Sequence, residues 1–286
     1  MELTRRFVFK GYASALSGLI YVPNVSVVDL SAGGSCALGI AGGRARSDAK
    51  DLAFGDAVRV GSATTLAQGV FDDEKAATAV VSRKGRQDEL SSTTTVSADL
   101  REMRVGNNRG PFFTASRVRA TLVSRSPEGS GEPRIAPGKE TAIEGVAIDG
   151  HALSISLNLQ LFQTCDTRSK LAAAADDKKT AKASRRSLAL TTTVEGQGST
   201  RPRLVSSQDI IYTTVVREIR WTGKPFPGAK IDEHTVVVPD FGRIFFGELL
   251  VSTMERRLTM VRFELGSPLR GYVGGGDVGS DGSWYP

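Results

Sequence analysis

Histidine and cysteine are both scarce. The 286 residues hold two of each: His151 and His234, Cys36 and Cys165. A structural zinc site draws three or four ligands from His, Cys and carboxylates, commonly in closely spaced pairs. Neither C-x-x-C nor H-E-x-x-H occurs, so no metal centre is expected. Two cysteines make no disulfide framework, and they are read as free or buried thiols. No G-x-S-x-G elbow marks a hydrolase nucleophile. Gly33-Gly34 and Gly42-Gly43 lack the Lys-Ser/Thr that closes a phosphate-binding loop, and they read as turns. No stretch reaches the roughly 18 consecutive apolar residues of a membrane helix.

The N-terminus carries Arg5-Arg6 ahead of an apolar stretch, in the manner of an export signal. Lys10 interrupts that stretch and no A-x-A-like cleavage site follows. The expectation is an unprocessed chain, cytoplasmic or exported without a cleaved signal.

What is present is the composition of a β protein. Hydrophobic residues make up 40% and charged residues 24%, with 31 glycines. Ser, Thr and Val are plentiful, which suits many strands joined by tight turns. Ser91 to Val105 is rich in Thr and Val. Phe112 to Ser124 alternates apolar and polar residues with one slip in phase. In Ile143 to Phe162, two alternating runs flank Asp149-Gly150, which predicts a two-residue type I′ hairpin. Leu159 and Leu161 are read as continuing its second strand. Asp209 to Trp221 is apolar on both faces in its first half, as in a central strand. Thr235 to Val238, Arg243 to Val251 and Arg257 to Leu265 follow, the last two as a hairpin. Asp56 to Gly61, Val70 and Ala79 to Ser82 are weaker strand candidates, and Ser187 to Glu195 and Leu204 to Ser206 read as strands. Ser126 to Lys139, with three prolines and three glycines, reads as a long loop.

The formal net charge is +6, and much of it is local. Asp166 to Arg186 contains seven cations and three anions, is rich in Ala and Lys, and breaks the β pattern. It reads as an exposed helix, capped by Thr164 or Asp166, or as a basic loop. The expected fold is an all-β, antiparallel β-sandwich, jelly-roll-like or related, with this one helical or irregular excursion. Residues 1–286 are read as one large β domain with the excursion at about 166–186. The alternative is two β domains, 1–165 and 187–286.

Without a catalytic set, the leading expectation is a structural or interaction protein. Self-association would run through β-edges and the chain ends. The anchors expected for it are Phe245 and Phe246, with Phe241 beside them, the terminal Trp284 and Tyr285, and an extended arm from Leu3 to Tyr21. Large aromatics are strong anchors wherever a partner pocket receives them. A second class is a module binding nucleic acid or acidic polymer through Lys178, Lys179, Lys182, Arg185 and Arg186. Cations there would track phosphates, weakly and without specificity, because no aromatic residue lies beside them to stack a base. A third class is a hydrolase-like sandwich enzyme with a composite carboxylate site, drawn from Asp149, Glu218, Glu248 and Glu264. The Gly274 to Gly282 stretch resembles one imperfect copy of a glycine-aspartate calcium repeat, with Asp277 and Asp281 as its candidate ligands. Such sites need stacked neighbours to supply further oxygens, so no cofactor is expected. The stretch reads instead as a tail.

Both central residues of a type I′ turn need positive φ. Gly150→Val forces a β-branched side chain into that region and is expected to cost about 1–3 kcal/mol. Denaturant unfolding measures it, and an unchanged midpoint would mean the turn is misplaced.

Overall fold

A computed structural model describes residues 6–21, 27–30, 33–71, 91–106, 110–127, 131–176, 210–252, 255–266 and 269–285. In chain order the strands begin with β1 (Arg6–Val8), β2 (Gly11–Tyr21), β3 (Val27–Asp29), β4 (Ser35–Ala37), β5 (Gly43–Phe54) and β6 (Val58–Phe71). There follow β7 (Ser91–Val105), β8 (Phe113–Pro127), β9 (Arg134–Pro137), β10 (Ala142–Glu144), β11 (Val146–Ile148) and β12 (His151–Leu157). Two helices, α1 (Leu159–Thr164) and α2 (Arg168–Asp176), come next. The rest are β13 (Ile210–Thr214), β14 (Val216–Trp221), β15 (Lys230–Asp232), β16 (Thr235–Val238), β17 (Gly242–Ser252), β18 (Arg256–Leu265), β19 (Arg270–Ser280) and β20 (Ser283–Tyr285).

The fold is a sandwich of two antiparallel sheets. One, the long-stranded sheet, runs β14-β12-β11-β8-β7-β6-β5, with β9 and β10 also on β8. The other, the glycine-rich sheet, runs β15-β16-β17-β18-β19-β2-β3, with β13 on β17 and β4 on β2. Long runs of each sheet are meanders, β5-β6-β7-β8 in one and β15-β16-β17-β18-β19 in the other, while the chain changes sheet between β4 and β5, β12 and β13, β13 and β14, and β14 and β15. The core lies where β19 crosses β7 and β8, β2 crosses β6 and β7, and β18 crosses β8. Leu16, Val96, Leu100, Val118, Leu122, Val261 and Phe263 are fully buried there.

Both sheets carry a crease. In the long-stranded sheet two consecutive residues face outward on each of four strands: Lys50-Asp51, Gly61-Ser62, Arg101-Glu102 and Ser116-Arg117. Lys50, Ser62, Arg101 and Arg117 pair in one row, and Leu52, Val60, Met103 and Ala115 in the row but one beyond. Every strand slips by one at the same level, so the ladder continues in register with its phase inverted. Asp51 and Glu102, on alternate strands, take positive φ of 51° and 55°. The glycine-rich sheet does the same with the opposite sense. Phe246-Gly247, Met260-Val261, Gly275-Gly276 and Ala15-Leu16 face inward in pairs. Again alternate strands carry the positive φ, 63° at Gly247 and 65° at Gly276. A Cβ on Gly276 would lie 3.3 Å from Val118, and one on Gly275 would lie 2.9 Å from Met103. The two creases therefore meet through the core, one bulging inward where the other bulges outward.

Several expectations are corrected. Residues 270–280 form β19, a central strand between β18 and β2, and not a tail. Asp209 to Trp221 is not one strand. Its first half, β13, joins the glycine-rich sheet and its second, β14, the long-stranded sheet. Between them buried Val215 donates its N–H to Gly247 and accepts from Asn158, so one residue ties both sheets. Leu159 and Leu161 lie in α1, which buries Phe162. The polar stretch 43–54 is a full strand, β5, and the long loop contains β9. The helical excursion is present as α2, preceded by Thr167, whose hydroxyl accepts from the Lys170 N–H, and anchored by buried Leu171. The expected hairpin is present with Asp149 and Gly150 at φ 50° and 81°. Strand candidates within 72–90 and 187–206 lie outside the described residues.

The first and last described strands meet at one corner. β1 pairs with β20, and Phe7, Phe9, Phe71 and Trp284 form a ring cluster with neighbouring centroids 4.8–5.2 Å apart along Trp284-Phe7-Phe9-Phe71. A Cβ on Gly69 would stand 2.5 Å from the Phe9 ring.

Gly276→Val tests the crease. It combines positive φ with a crowded core position and is expected to cost about 2–5 kcal/mol. Gly223→Ala, with open space around it and no positive φ, is the control and should shift stability by less than about 0.5 kcal/mol. Equal melting temperatures for the two variants would contradict this account.

Candidate functional site

The outer face of the long-stranded sheet presents a polar cleft of about 280 Å³ lined by Arg46, Ser62, Thr64, Leu66, Ser97, Asp99, Arg101 and Arg119. Strand alternation puts these side chains on one face. Cross-strand pairing then sets them in rows: Asp48-Thr64-Asp99-Arg119, Arg46-Leu66-Ser97, and Ser62-Arg101-Arg117. The crease borders them: Ser62, Arg101 and Arg117 stay in phase with Thr64, Asp99 and Arg119, and the slip brings Gly61, Glu102 and Ser116 outward next to them.

The charges are not equally satisfied. Arg46 donates two hydrogen bonds to Asp48 at 2.8 and 2.9 Å, and Thr64 donates to the same carboxylate at 2.7 Å. Those bonds, the guanidinium's first, hold the Asp48 carboxyl below the usual range. Arg117 grips Asp99 bidentately at 2.9 and 2.7 Å, which raises its own affinity for a proton. Arg119 is left with a 3.8 Å approach to that same carboxylate, and its Nε is buried without a hydrogen-bond partner. Arg101 is exposed and makes no ion pair among the described residues. One carboxylate thus faces two guanidiniums, and a third guanidinium has none. An orphaned buried donor beside an unpaired cation suits an anion that supplies acceptors to both.

Sequence reasoning did not single out these residues. They come from four strands, one of them unexpected, and carry no motif. The available signal was the alternation of charge in Arg46-x-Asp48-x-Lys50, Asp99-x-Arg101 and Arg117-x-Arg119.

The anchors expected for self-association lie elsewhere. Phe246 is fully buried in the inter-sheet core, 6.3 Å from Phe113. Phe245 is buried beneath the Arg262 guanidinium, 3.8 Å from its ring centroid, and Phe241 packs on Phe263. Trp284 is half-buried against Phe7, and its indole N–H donates to the Ser126 carbonyl at 3.3 Å. Tyr285 lies in β20, opposite Arg6. From residue 6 the N-terminal arm is already paired, since β2 joins β19 along its length. Phe241, Phe245, Phe246 and Trp284 are therefore engaged within the chain. Lys178, Lys179, Lys182, Arg185 and Arg186 lie outside the described residues.

The carboxylate candidates are partnered or apart. Glu248 and Glu264 both hold Arg262, at 2.7 Å each. Glu218 lies 3.7 Å from Arg220, and Asp149 sits in the hairpin turn. Asp277 points outward from the middle of β19 and accepts from Thr259 at 3.0 Å. Burial pushes its carboxyl up, while Arg257 and Thr259 pull it down. Asp281 pairs with Lys10 at 3.7 Å. The two are thus separated by β19 geometry and share no ligand-like loop. Among the described residues no three His, Cys, Asp or Glu side chains cluster as a metal would require. Cys36 and Cys165 are unbonded, and burial raises the Cys165 thiol. No helix among the described residues is long and apolar enough to cross a membrane.

A family model described as Domain of unknown function (DUF8256) matches residues 7–252. Comparison with the curated proteins and with the solved structures finds no significant match.

His234 is the titratable group most exposed to an environmental change. It is buried, its Nδ1 has no partner, and its Nε2 stands 4.0 Å from Glu248. Burial lowers its pKa below 6.5, with Glu248 opposing. The unfolded chain therefore binds this proton first on acidification, so stability falls as pH drops through the unfolded value toward the folded one. One proton limits the slope to about 1.4 kcal/mol per pH unit. Unfolding free energy measured between about pH 7 and 5 should fall more steeply in the wild type than in His234→Gln. Parallel curves would contradict the assignment.

Proposed function

We propose that this chain, which belongs to the family described as Domain of unknown function (DUF8256), is a binding module that holds an anionic ligand on the outer face of its long-stranded sheet. The observation that carries this reading is the imbalance in the cleft. Arg101 has no ion-pair partner among the described residues, and Arg119 keeps a buried, unbonded Nε beside an already occupied Asp99. A partly buried guanidinium with a spare donor favours an anion more than a solvated surface lysine does. A sheet face also suits the task, because rigid strands hold donors in fixed positions.

Self-association, the leading expectation from sequence, draws less support. Its aromatic anchors are engaged within the chain. The sheet edges are also poor templates: β3, β4 and β15 have three residues each, and β5 carries Arg44, Arg46, Asp48, Lys50 and Asp51. Short and charged edges resist pairing with another chain.

The test is an NMR titration of the arginine Nε–Hε resonances with sodium sulfate at constant ionic strength. The Arg119 and Arg101 signals should shift together and saturate. Arg101→Gln, an exposed position, should leave the melting temperature unchanged and weaken binding at least about tenfold, the loss of one charge-assisted hydrogen bond. Shifts confined to other arginines would place the anion elsewhere and defeat the reading.

A further inference from the structure

The cleft is too small and too nearly balanced for a polyanion. Its volume of about 280 Å³ falls at the lower end of small-ligand sites, roughly 300–1,000 Å³. Arg46 is neutralised by Asp48, and Asp99 offsets one of Arg117 and Arg119. Only about two positive charges remain, whereas nucleic acid is held by neutralising many phosphates. The Asp48 and Asp99 carboxylates would also stand against a dense run of negative charge. No aromatic residue lines the cleft to stack a base.

The rest of the lining asks for hydroxyl groups. Ser62 and Ser97 make no side-chain hydrogen bond among the described residues, and Thr64 spends its proton on Asp48. A hydroxyl both donates and accepts, so it can serve the Asp99 carboxylate and these side chains at once. Leu66 adds one apolar surface between them.

We infer that the ligand is an acidic saccharide, with one carboxylate on a ring held by Arg101 and Arg119 and its hydroxyls held by Ser62, Ser97 and Asp99. This rests on the anion-binding reading above and specifies its ligand. The site accepts one ring-sized unit, so a longer chain would gain affinity only through contacts outside the cleft.

Isothermal titration of the full chain with four probes tests this: an oligosaccharide alternating glucuronate and N-acetylglucosamine, the same oligosaccharide with its carboxylates reduced to alcohols, inorganic phosphate, and a 20-base-pair DNA duplex. The glucuronate probe should bind most tightly. Reducing its carboxylates and Arg101→Gln should each weaken it at least tenfold, and the two losses should not add, because both remove the same contact. Ser97→Ala should weaken the glucuronate probe several-fold while leaving phosphate unchanged. Phosphate or duplex binding that exceeds the glucuronate probe and is lost in Arg101→Gln would overturn the saccharide assignment and leave the anion site standing. Equal binding of the acidic and reduced oligosaccharides would overturn the assignment too. Absence of binding by all four probes would remove both.

Discussion

A matched slip in the inside-outside alternation governs this molecule. A one-residue slip in a single strand turns the rest of that strand's core face to solvent. Here four neighbouring strands, β5 to β8, slip at the same level, so the pairing survives and the phase inverts across all four. The opposing sheet slips with the reverse sense, and Gly275 and Gly276 make room for Met103 and Val118 at the meeting line. Packing across the sandwich is possible only because the two slips are in step. Positive φ at Asp51 and Glu102 is uncommon for residues with a side chain and costs energy, which the surrounding ladders must offset.

The candidate site lies beside that crease. Ser62, Arg101 and Arg117 form one row in phase with the Asp99-Arg119 row, and the outward slip adds Gly61, Glu102 and Ser116 to the outer face beside them. The inward slip has the opposite effect on the glycine-rich sheet. It spends two successive positions on the core, and the outer face there closes into partnered networks around Arg262 and Asp277.

How far the sequence could be read depended on whether local pattern and tertiary context agreed. The Asp149-Gly150 hairpin was legible because turn chemistry and alternation agree over a few residues. The slip in β8 was legible too, since Phe113, Ala115 and Val118 break phase visibly, but its repetition in three neighbours is a property of pairing. β5 was not legible. As an edge strand with small inward residues, Ala45, Ser47 and Ala49, it shows little hydrophobic signal. Residues 270–280 misled for a physical reason. Glycine runs suggest a tail, yet Gly274, Gly275 and Gly279 lie under Ser17, Met103 and Tyr12, whose side chains occupy the space that a Cβ would take. The cleft was illegible because four strands build it, and a sequence does not state which residues become neighbours across a sheet.

The place of β19 has a consequence for how the chain reaches this state. It pairs on one side with β18, close in sequence, and on the other with β2, at the opposite end of the described residues. Apart from the short β1–β20 pairing, the β2–β19 ladder is therefore the least local in the fold, and contacts of high sequence separation form slowly. During synthesis β2 leaves the ribosome early and one of its edges stays unpaired until residues 270–280 emerge. Partly made chains carry an open, largely apolar edge through that interval, the condition under which nascent β proteins meet chaperones or one another.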